Sequence, residues 1–355
     1  MQYYKDIQKF VKGKKVFCGI DAHLKFWVVC FYCDGEVLEK TRINFGYPEL
    51  LDRLKLYNAA RQIRLVYEAG FSGFWLYRKL LADGYHCIIT PPALIPRSAS
   101  KVKTDKRDAV KLASYLAAGI LKSIYVPPIE VESDRRVVRR RSQLVKKQTR
   151  SKNEIKAFLH LHGIDKPVNI KTCWSSRYMS WLKNLQFSSE SDQFTFAQLV
   201  TYYTRVREDL AEINLYLKKL SQNPRYHANY QRLYRLKGIG LITAMTYLLE
   251  ICDFTRFKKS KQFSSFLGFT PSQFSSGENV RLGHISNQGN AHLRRVLVES
   301  AWTVIKHDPH LRGKYERIRS RGTNGKKAIV AVARSLAVRL RRCLLDETDY
   351  VIGVS

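Results

Sequence analysis

The feature that most constrains this chain is a short apolar run closed by an acid, Val16-Phe17-Cys18-Gly19-Ile20-Asp21. A run of this kind that ends abruptly on a carboxylate reads as a central strand delivering a ligand to its C-terminal edge. Three later acids converge on it. Glu68 closes Ile63-Arg64-Leu65-Val66-Tyr67-Glu68, and Asp105 and Asp108 stand in Lys103-Thr104-Asp105-Lys106-Arg107-Asp108-Ala109. Three apart on a helix, the last two point to one face. Each acid alone is explained as well by a surface ion pair or a strand-end cap, since Lys101, Lys103, Lys106 and Arg107 crowd the aspartates. Four at the ends of the expected elements favour a divalent metal in a nuclease-type site.

Charge narrows the partner. Lys and Arg number 62 against 30 Asp and Glu in 355 residues, a formal net charge of +32. That exceeds what solubility requires and implies a polyanion, nucleic acid before any other. A membrane surface attracts the same charge, but no apolar stretch has spanning length and residues 1–10 do not read as a signal peptide. The expectation is a cytoplasmic, nucleoid-associated protein with no membrane partner. Seven scattered cysteines do not look like a disulfide framework. Cys30 and Cys33 have CxxC spacing, yet on an expected strand an odd separation sends them to opposite faces, so both read as core.

The order of elements suggests the first fold. Strands are expected at residues 16–21, 25–32 and 36–44, the last two joined by the Asp34-Gly35 hairpin signal. A helix at 48–60, a strand at 63–68, a helix at 73–83, a strand at 86–90 and a helix at 106–118 follow. Three strands with a hairpin, then alternating helix and strand, is the order of an α/β ribonuclease H/RuvC-like domain. We assign it residues 1–125, a basic helical, coiled-coil segment 126–225, and a mainly α C-terminal domain 226–355.

Residues 130–162 suit a helix crowded with Arg135, Arg136, Arg139, Arg140, Arg141, Lys146, Lys147, Arg150 and Lys152. A charge run is ordinarily a solvated face, but so many like charges repel unless a phosphate backbone neutralises them. Phe196, Leu199, Tyr203, Val206, Leu210, Ile213, Leu217 and Leu220 then step by three and four, a heptad seam. Its partner is either the preceding basic helix or the same helix of another subunit. Lys237, Gly238 and Gly240 in Leu236-Lys237-Gly238-Ile239-Gly240 match a helix-hairpin-helix, whose backbone N–H groups can approach a phosphate, or else form a plain turn. Glycines, hydroxyls and arginines in the loop at 268–290, with Arg281 and His284, and in the helix after it, with Arg294 and Arg295, are the ingredients for gripping a phosphodiester. A basic amphipathic helix at 326–345 ends the series.

Taken together, Gly19-Ile20-Asp21, Tyr67-Glu68-Ala69-Gly70, residues 103–109, Ser276-Gly277 and the block 281–295 closely resemble the DEDD transposases of the insertion-sequence one-ten superfamily, including its eleven-eleven branch and the Piv-type invertases. The resemblance runs from the first strand to the last helix. It implies that Asp21, Glu68, Asp105 and Asp108 of a RuvC-like domain bind magnesium. It implies further that a C-terminal serine, by motif match Ser276 with Ser275 adjacent, forms a covalent phosphoserine link to DNA. Implied partners are element ends and target DNA, a structured guide RNA, and further copies of the chain as a dimer or tetramer. The chain departs from the family where Glu278 stands in place of a common glycine and Asn287 in place of a common lysine.

The chemistry fits these residue types. Carboxylate oxygens suit Mg2+ or Mn2+ rather than zinc, and such an ion neutralises a phosphate that would otherwise repel a nucleophile. A serine link conserves the phosphodiester energy, allowing rejoining without ATP, but the hydroxyl needs activation. Two other readings stay open: a RuvC-like hydrolytic nuclease using water, and a nucleic-acid-binding protein that does not cut.

Overall fold

The structure is a computed structural model and describes residues 2–57, 60–96, 105–276, 279–285 and 288–353, the side chains of 2–4, 105–106, 273–276, 279–282 and 284 excepted. It contains two units, Met1–Val126 and Pro127–Ser355.

In the first unit, α1 (Gln2–Val11) leads into β1 (Val16–Ala22), β2 (Phe26–Cys33) and β3 (Glu36–Asn44), then α2 (Tyr47–Lys55), β4 (Ile63–Glu68), α3 (Trp75–Ala82), β5 (His86–Thr90) and α4 (Asp105–Ala117). The sheet order is β3-β2-β1-β4-β5, so the apolar run that ends on Asp21 is its central strand. β2 is antiparallel to β1 and β3, and β4 is parallel to β1 and β5. Asp34 and Gly35 join β2 to β3 with φ of 47° and 90°, the left-handed pair that a two-residue hairpin needs.

One sheet face carries Val16, Cys18 and Ile20 from β1, with Leu65 and Tyr67 from β4, and packs on Leu50, Leu54, Leu76 and Leu80 of α2 and α3. The opposite face carries Val28 and Cys30 and packs on Ala109 and Ala113 of α4. Cys30 and Cys33 therefore do lie on opposite faces, both buried. Burial pushes the Cys30 thiol up to about 11, as expected of a core cysteine. Two boundaries differ from expectation. The lead before β1 folds as α1, and α2 ends at Lys55 because the chain tightens at Leu56, whose N–H donates to Arg53 O, before a 3-10 turn at Ala60–Gln62.

The second unit comprises α5 (Ile129–Leu161), α6 (Ser176–Asn184), α7 (Glu190–Ser221), α8 (Pro224–Tyr234), α9 (Leu241–Ile251), α10 (Ser260–Leu267), the hairpin β6 (Pro271–Ser276) and β7 (Asn279–Ile285), then α11 (Ala291–Val304), α12 (Pro309–Ser320) and α13 (Gly325–Leu345). The long helix α7 starts where Ser189 accepts from the Asp192 amide, with Glu190 and Asp192 in its first turn and Lys218 and Lys219 in its last. Its apolar seam faces α5. Phe196, Val200 and Tyr203 meet Ile155 and Leu159; Val206 and Leu210 meet Leu144; Leu217 and Leu220 share a core with Val131 and Val138. Numbers rise along one helix as they fall along the other, so the pair is antiparallel and the seam's partner is the basic helix of the same chain. A core around the wholly buried stretch 244–251 of α9 joins α8, α11 and α13. Among the described residues no helix is long and apolar enough to cross a membrane.

Candidate functional site

A glycine sets the geometry of the acidic site. A Cβ on Gly19 would lie 2.6 Å from the Ala113 nitrogen and closer still to the Ala109 oxygen, so only glycine lets the α4 backbone rest directly on β1. Asp21 follows two residues later on the same strand face, and Asp108 immediately precedes Ala109 on the packed helix. Glu68 comes to the same edge by register. Ile20 pairs with Tyr67 in parallel, so Asp21 and Glu68 are the next positions of neighbouring strands, both on the α4 side. Asp105 opens α4, one turn before Asp108. The register thus sets Asp21 beside Glu68 on the sheet face that α4 covers, with Asp105 and Asp108 on the covering helix.

Asp21, Glu68 and Asp108 are partly buried, and the Asp105 side chain lies outside the described ones. Among the described residues no group of three or more His, Cys, Asp or Glu side chains is close enough to hold a metal. The donor set is nevertheless hard oxygen, which fits a divalent cation of the magnesium type. Sequence reasoning missed one neighbour. His23 Nε2 lies 3.1 Å from Asp21 Oδ2, and its ring packs on Phe26 at 4.8 Å between centroids. The signal was present in Asp-x-His, where the strand spacing of Asp21 carried one residue past the end of β1 sets His23 on the same side.

In the second unit the loop expected at 268–290 is a β-hairpin. Pro271 pairs with Ile285 and Ser276 with Asn279, so Ser275 and Ser276 sit at the tip of β6. The side chains of Ser275, Ser276, Arg281 and His284 lie outside the description, and Gly277, Glu278 and Asn287 lie outside the described residues altogether. What is described is how the hairpin is held. Gly268 has φ +74° and Gly289 φ +96°, and a Cβ on Gly289 would sit 2.6 Å from the Gly268 nitrogen, so the two ends are pinched together. Arg294 Nη1 ties both ends, donating to Gln288 O at 3.1 Å and to Leu267 O at 3.4 Å.

Beneath this clamp lies a buried carboxylate. Glu250 on α9, 2% exposed, accepts from Arg139 Nε and Nη2 at 2.7 and 2.8 Å and from Asn290 Nδ2 at 2.7 Å. Asn290 in turn caps α11, its Oδ1 accepting from the His292 and Leu293 amides. Burial by itself would raise the Glu250 carboxyl, but the hydrogen bonds and charge of Arg139, with help from Asn290 and Arg135, outweigh it and hold the group below the usual carboxylate range. The basic helix, the buried helix and the base of the serine hairpin thus share one ion.

This divides the arginines predicted to bind nucleic acid. Arg135, 13% exposed at its side chain, donates to Leu249 O at 2.8 Å, and Arg139 serves Glu250. Arg294 clamps the hairpin, and Arg295 Nη2 donates to Ser142 Oγ on α5 at 2.7 Å. Arg135 Nε and Arg294 Nη1 are thus taken up by protein carbonyls. Arg136, Arg140, Lys146, Lys147 and Arg150 lie exposed on α5. Arg136 and Arg150 make local ion pairs with Glu132 and Glu154, and Arg140 lies 3.9 Å from Asp209. Lys146, Arg150 and Arg295 line a groove of about 800 Å³ between α5 and α11. The Leu236–Gly240 stretch is the turn between α8 and α9. Gly238, with φ +105°, presses on Val304 of α11, whereas Lys237 and Gly240 are exposed at the start of α9.

Comparison with known proteins gives concordant results. Residues 18–164 match a family model of DEDD transposases of the IS110 type, described as "Transposase", and residues 230–316 match the model described as "Transposase IS116/IS110/IS902 family". A protein of Sinorhizobium fredii named as a transposase, y4qE, is 31% identical over 297 residues, covering 76% of this chain and 72% of the relative. The transposase for insertion sequence element IS1533 of Leptospira borgpetersenii is 29% identical, covering 93% of this chain and 95% of its own. The transposase for IS1111A of Coxiella burnetii is 26% identical, covering 80% and 78%.

Proposed function

The chain belongs to the IS116/IS110/IS902 family of insertion-sequence transposases, and from that premise we propose that it cuts and rejoins DNA with a carboxylate-held divalent metal and a serine nucleophile. The observation that supports the metal half of the reading is the seating of α4, the helix of Asp105 and Asp108, on Gly19 of the strand whose Asp21 stands beside Glu68 in register. These residues would hold Mg2+ or Mn2+, which when bound supplies charge neutralisation at the scissile phosphate. His23, hydrogen-bonded to Asp21, orients that carboxylate.

Ser276, at the tip of the clamped hairpin, is the nucleophile of this reading, with Ser275 its neighbour on the strand. Its Oγ forms a bond to phosphorus, the bond from phosphorus to the leaving deoxyribose oxygen breaks, and the serine proton ends on that leaving oxygen. Attack by another DNA hydroxyl reverses the exchange and restores the serine. A rigid hairpin base suits such a step, because a covalent link fixes DNA to the protein through one side chain. Arg281 and His284, on the facing strand, would grip the phosphodiester.

The exposed cations of α5, Arg136, Arg140, Lys146, Lys147 and Arg150, supply backbone contacts, and Lys237 with the Gly240 end of α9 supplies another, in the manner of a helix-hairpin-helix. The antiparallel α5/α7 pair serves as the coiled-coil strut that presents them. The guide is a structured RNA of the element, and the working form is a dimer or tetramer in the cytoplasm.

Trapping tests the whole. The protein is incubated with Mg2+, element-end DNA and the flanking transcript, denatured, and DNA-linked peptides are mapped by mass spectrometry. The expected result is a phosphoserine at Ser276, lost in Ser276→Ala and in Asp21→Ala. Cutting that survives Ser276→Ala would instead establish a hydrolytic nuclease, and binding without cutting or adduct would leave a non-catalytic nucleic-acid-binding protein.

A further inference from the structure

Three helices of the second unit turn polar stripes toward one groove of about 480 Å³. Ser260 and Ser264 stand one turn apart on α10, His310 and Lys314 one turn apart on α12, and Arg334 with Ser335 on α13. On α13 the apolar row Ile329, Val332, Ala333, Leu336 and Leu340 is buried in the core. Helical spacing puts Arg334 and Ser335 on the other side. This groove belongs neither to the acidic site nor to the serine hairpin, and α13 lies beyond the matched region 230–316.

Its charge is unbalanced. Among the described residues no carboxylate lines it. Arg339, at its rim, is already matched to the buried Asp308 at 2.9 Å. Among the described residues Arg334 and Lys314 hydrogen-bond to hydroxyls: Arg334 Nε donates to Ser264 Oγ at 3.3 Å, and Lys314 Nζ donates to Ser335 Oγ. A hydroxyl orients a cation but cannot neutralise it. Burial first, and then the charges of Arg334 and Arg317, push the Lys314 ammonium down.

We propose that this groove is a phosphate site, taking a backbone phosphate of a nucleic-acid strand between Lys314 and Arg334. Ser335 accepts from Lys314 through its oxygen and keeps its own proton to donate to the phosphate. The guanidinium of Arg334 offers a planar set of donors suited to phosphate oxygens. The inference deepens the transposase reading, from which it takes nucleic acid as the source of the phosphate, and it adds a strand contact separate from both cutting elements.

The test is equilibrium binding of a fluorescein-labelled single-stranded DNA 20-mer to the full chain in EDTA over a salt series, alongside thermal melts with inorganic phosphate. The variants are Lys314→Gln and Ser335→Asp. The second gives Lys314 an internal carboxylate, so it should hold or raise the melting temperature while closing the site to anions. Strand affinity is expected to fall about tenfold in both, with the log-log salt slope shallower by about 0.7 for one lost phosphate contact. Stabilisation by inorganic phosphate in the parent but not in Ser335→Asp, with strand binding unchanged, would uphold the phosphate site and assign it a free phosphate instead. Unchanged slope together with unchanged phosphate response in a folded Ser335→Asp would overturn the proposal. Because neither measurement needs cutting, failure to trap a Ser276 adduct is a separate result.

Discussion

The ion beneath the serine hairpin should be worth several kcal/mol, and the two sides of it should fail differently. Replacing Glu250 by Gln keeps the shape but removes the charge that receives Arg139 twice and Asn290 once, all within 2.8 Å. Breaking a buried pair from one side costs roughly 3–5 kcal/mol because the partner is stranded. Here the stranded partner has an escape: the Arg139 side chain is 45% exposed and can find water, while Arg135 keeps Leu249 O. Glu250→Gln is therefore placed at the low end, about 3 kcal/mol. Arg139→Met leaves the carboxylate behind, 1% exposed at its side chain, with Asn290 and the more distant Arg135 only. That cost is placed nearer 4 kcal/mol.

Urea unfolding of the full chain measures both, and hydrogen exchange reads the local consequence. Asn290 loses its charged anchor in Glu250→Gln and keeps it in Arg139→Met, and a loosened N-cap is worth about 1 kcal/mol. The amides of His292 and Leu293, which Asn290 Oδ1 receives, should exchange several-fold faster than in the parent in Glu250→Gln, and less so in Arg139→Met. A double variant, Arg139→Met with Glu250→Leu, should cost about 2 kcal/mol less than the sum of Arg139→Met and Glu250→Leu made singly, since paired apolar replacements strand nothing. Costs below about 1 kcal/mol for both single variants, or additive behaviour in the double, would refute the shared-ion account.

Three further outcomes follow from the same geometry. Gly19→Ala must push α4 off β1, because backbone atoms of Ala109 and Ala113 occupy the Cβ position; overpacking of roughly 2–3 kcal/mol is expected in urea melts, with loss of Mg2+-dependent cutting, and normal cutting would contradict the seating of the acids. Arg294→Met should leave strand binding within about twofold yet raise hydrogen exchange across the hairpin 271–285, whereas a shallower salt slope would return Arg294 to the phosphate contacts. Acid should weaken the second unit. Burial alone raises the Asp308 carboxyl, but Tyr350, the Leu311 amide and Arg339 outweigh it, so Asp308 like Glu250 is held low. Folded values below the unfolded ones mean full stability above about pH 4–5 and loss as pH falls through the folded values. Burial also holds the His292 imidazole below its ordinary value, so the urea midpoint should start to decline below about pH 6.5 and drop further below about pH 4, that second fall gentler in Glu250→Gln; a midpoint that rises on acidification would reverse the sign.

How much of this was legible differs between the two units for a physical reason. Strand-end acids are readable because a strand is a local object. The runs that carry Asp21 and Glu68 form as strands, and the order β3-β2-β1-β4-β5 with its parallel register puts them side by side. The heptad row from Phe196 to Leu220 was readable too, as a face that needed a partner; which partner depended on where α5 put Leu144, Ile155 and Leu159. The hairpin 271–285 read as loop because Pro271, Gly277 and Gly283 interrupt any apolar alternation.

The arginines were the harder case. In α5 the guanidiniums of Arg135, Arg136, Arg139 and Arg140 look alike in sequence, and charge density alone assigns them one partner. What separates them is a single carboxylate 111 positions away from Arg139, in a helix so apolar that Glu250 looks misplaced. That oddity is the usable signal. A lone acid in a run such as Leu241–Ile251 must be neutralised, and a chain with this much excess positive charge will neutralise it with its own arginines. Counting buried acids first, and giving each the nearest available guanidiniums, leaves fewer cations for nucleic acid but better ones. Applied to the groove between α10, α12 and α13, the same rule matches Arg339 to Asp308 and leaves Lys314 and Arg334 without a carboxylate among the residues lining it, which is the ground for proposing an external phosphate there.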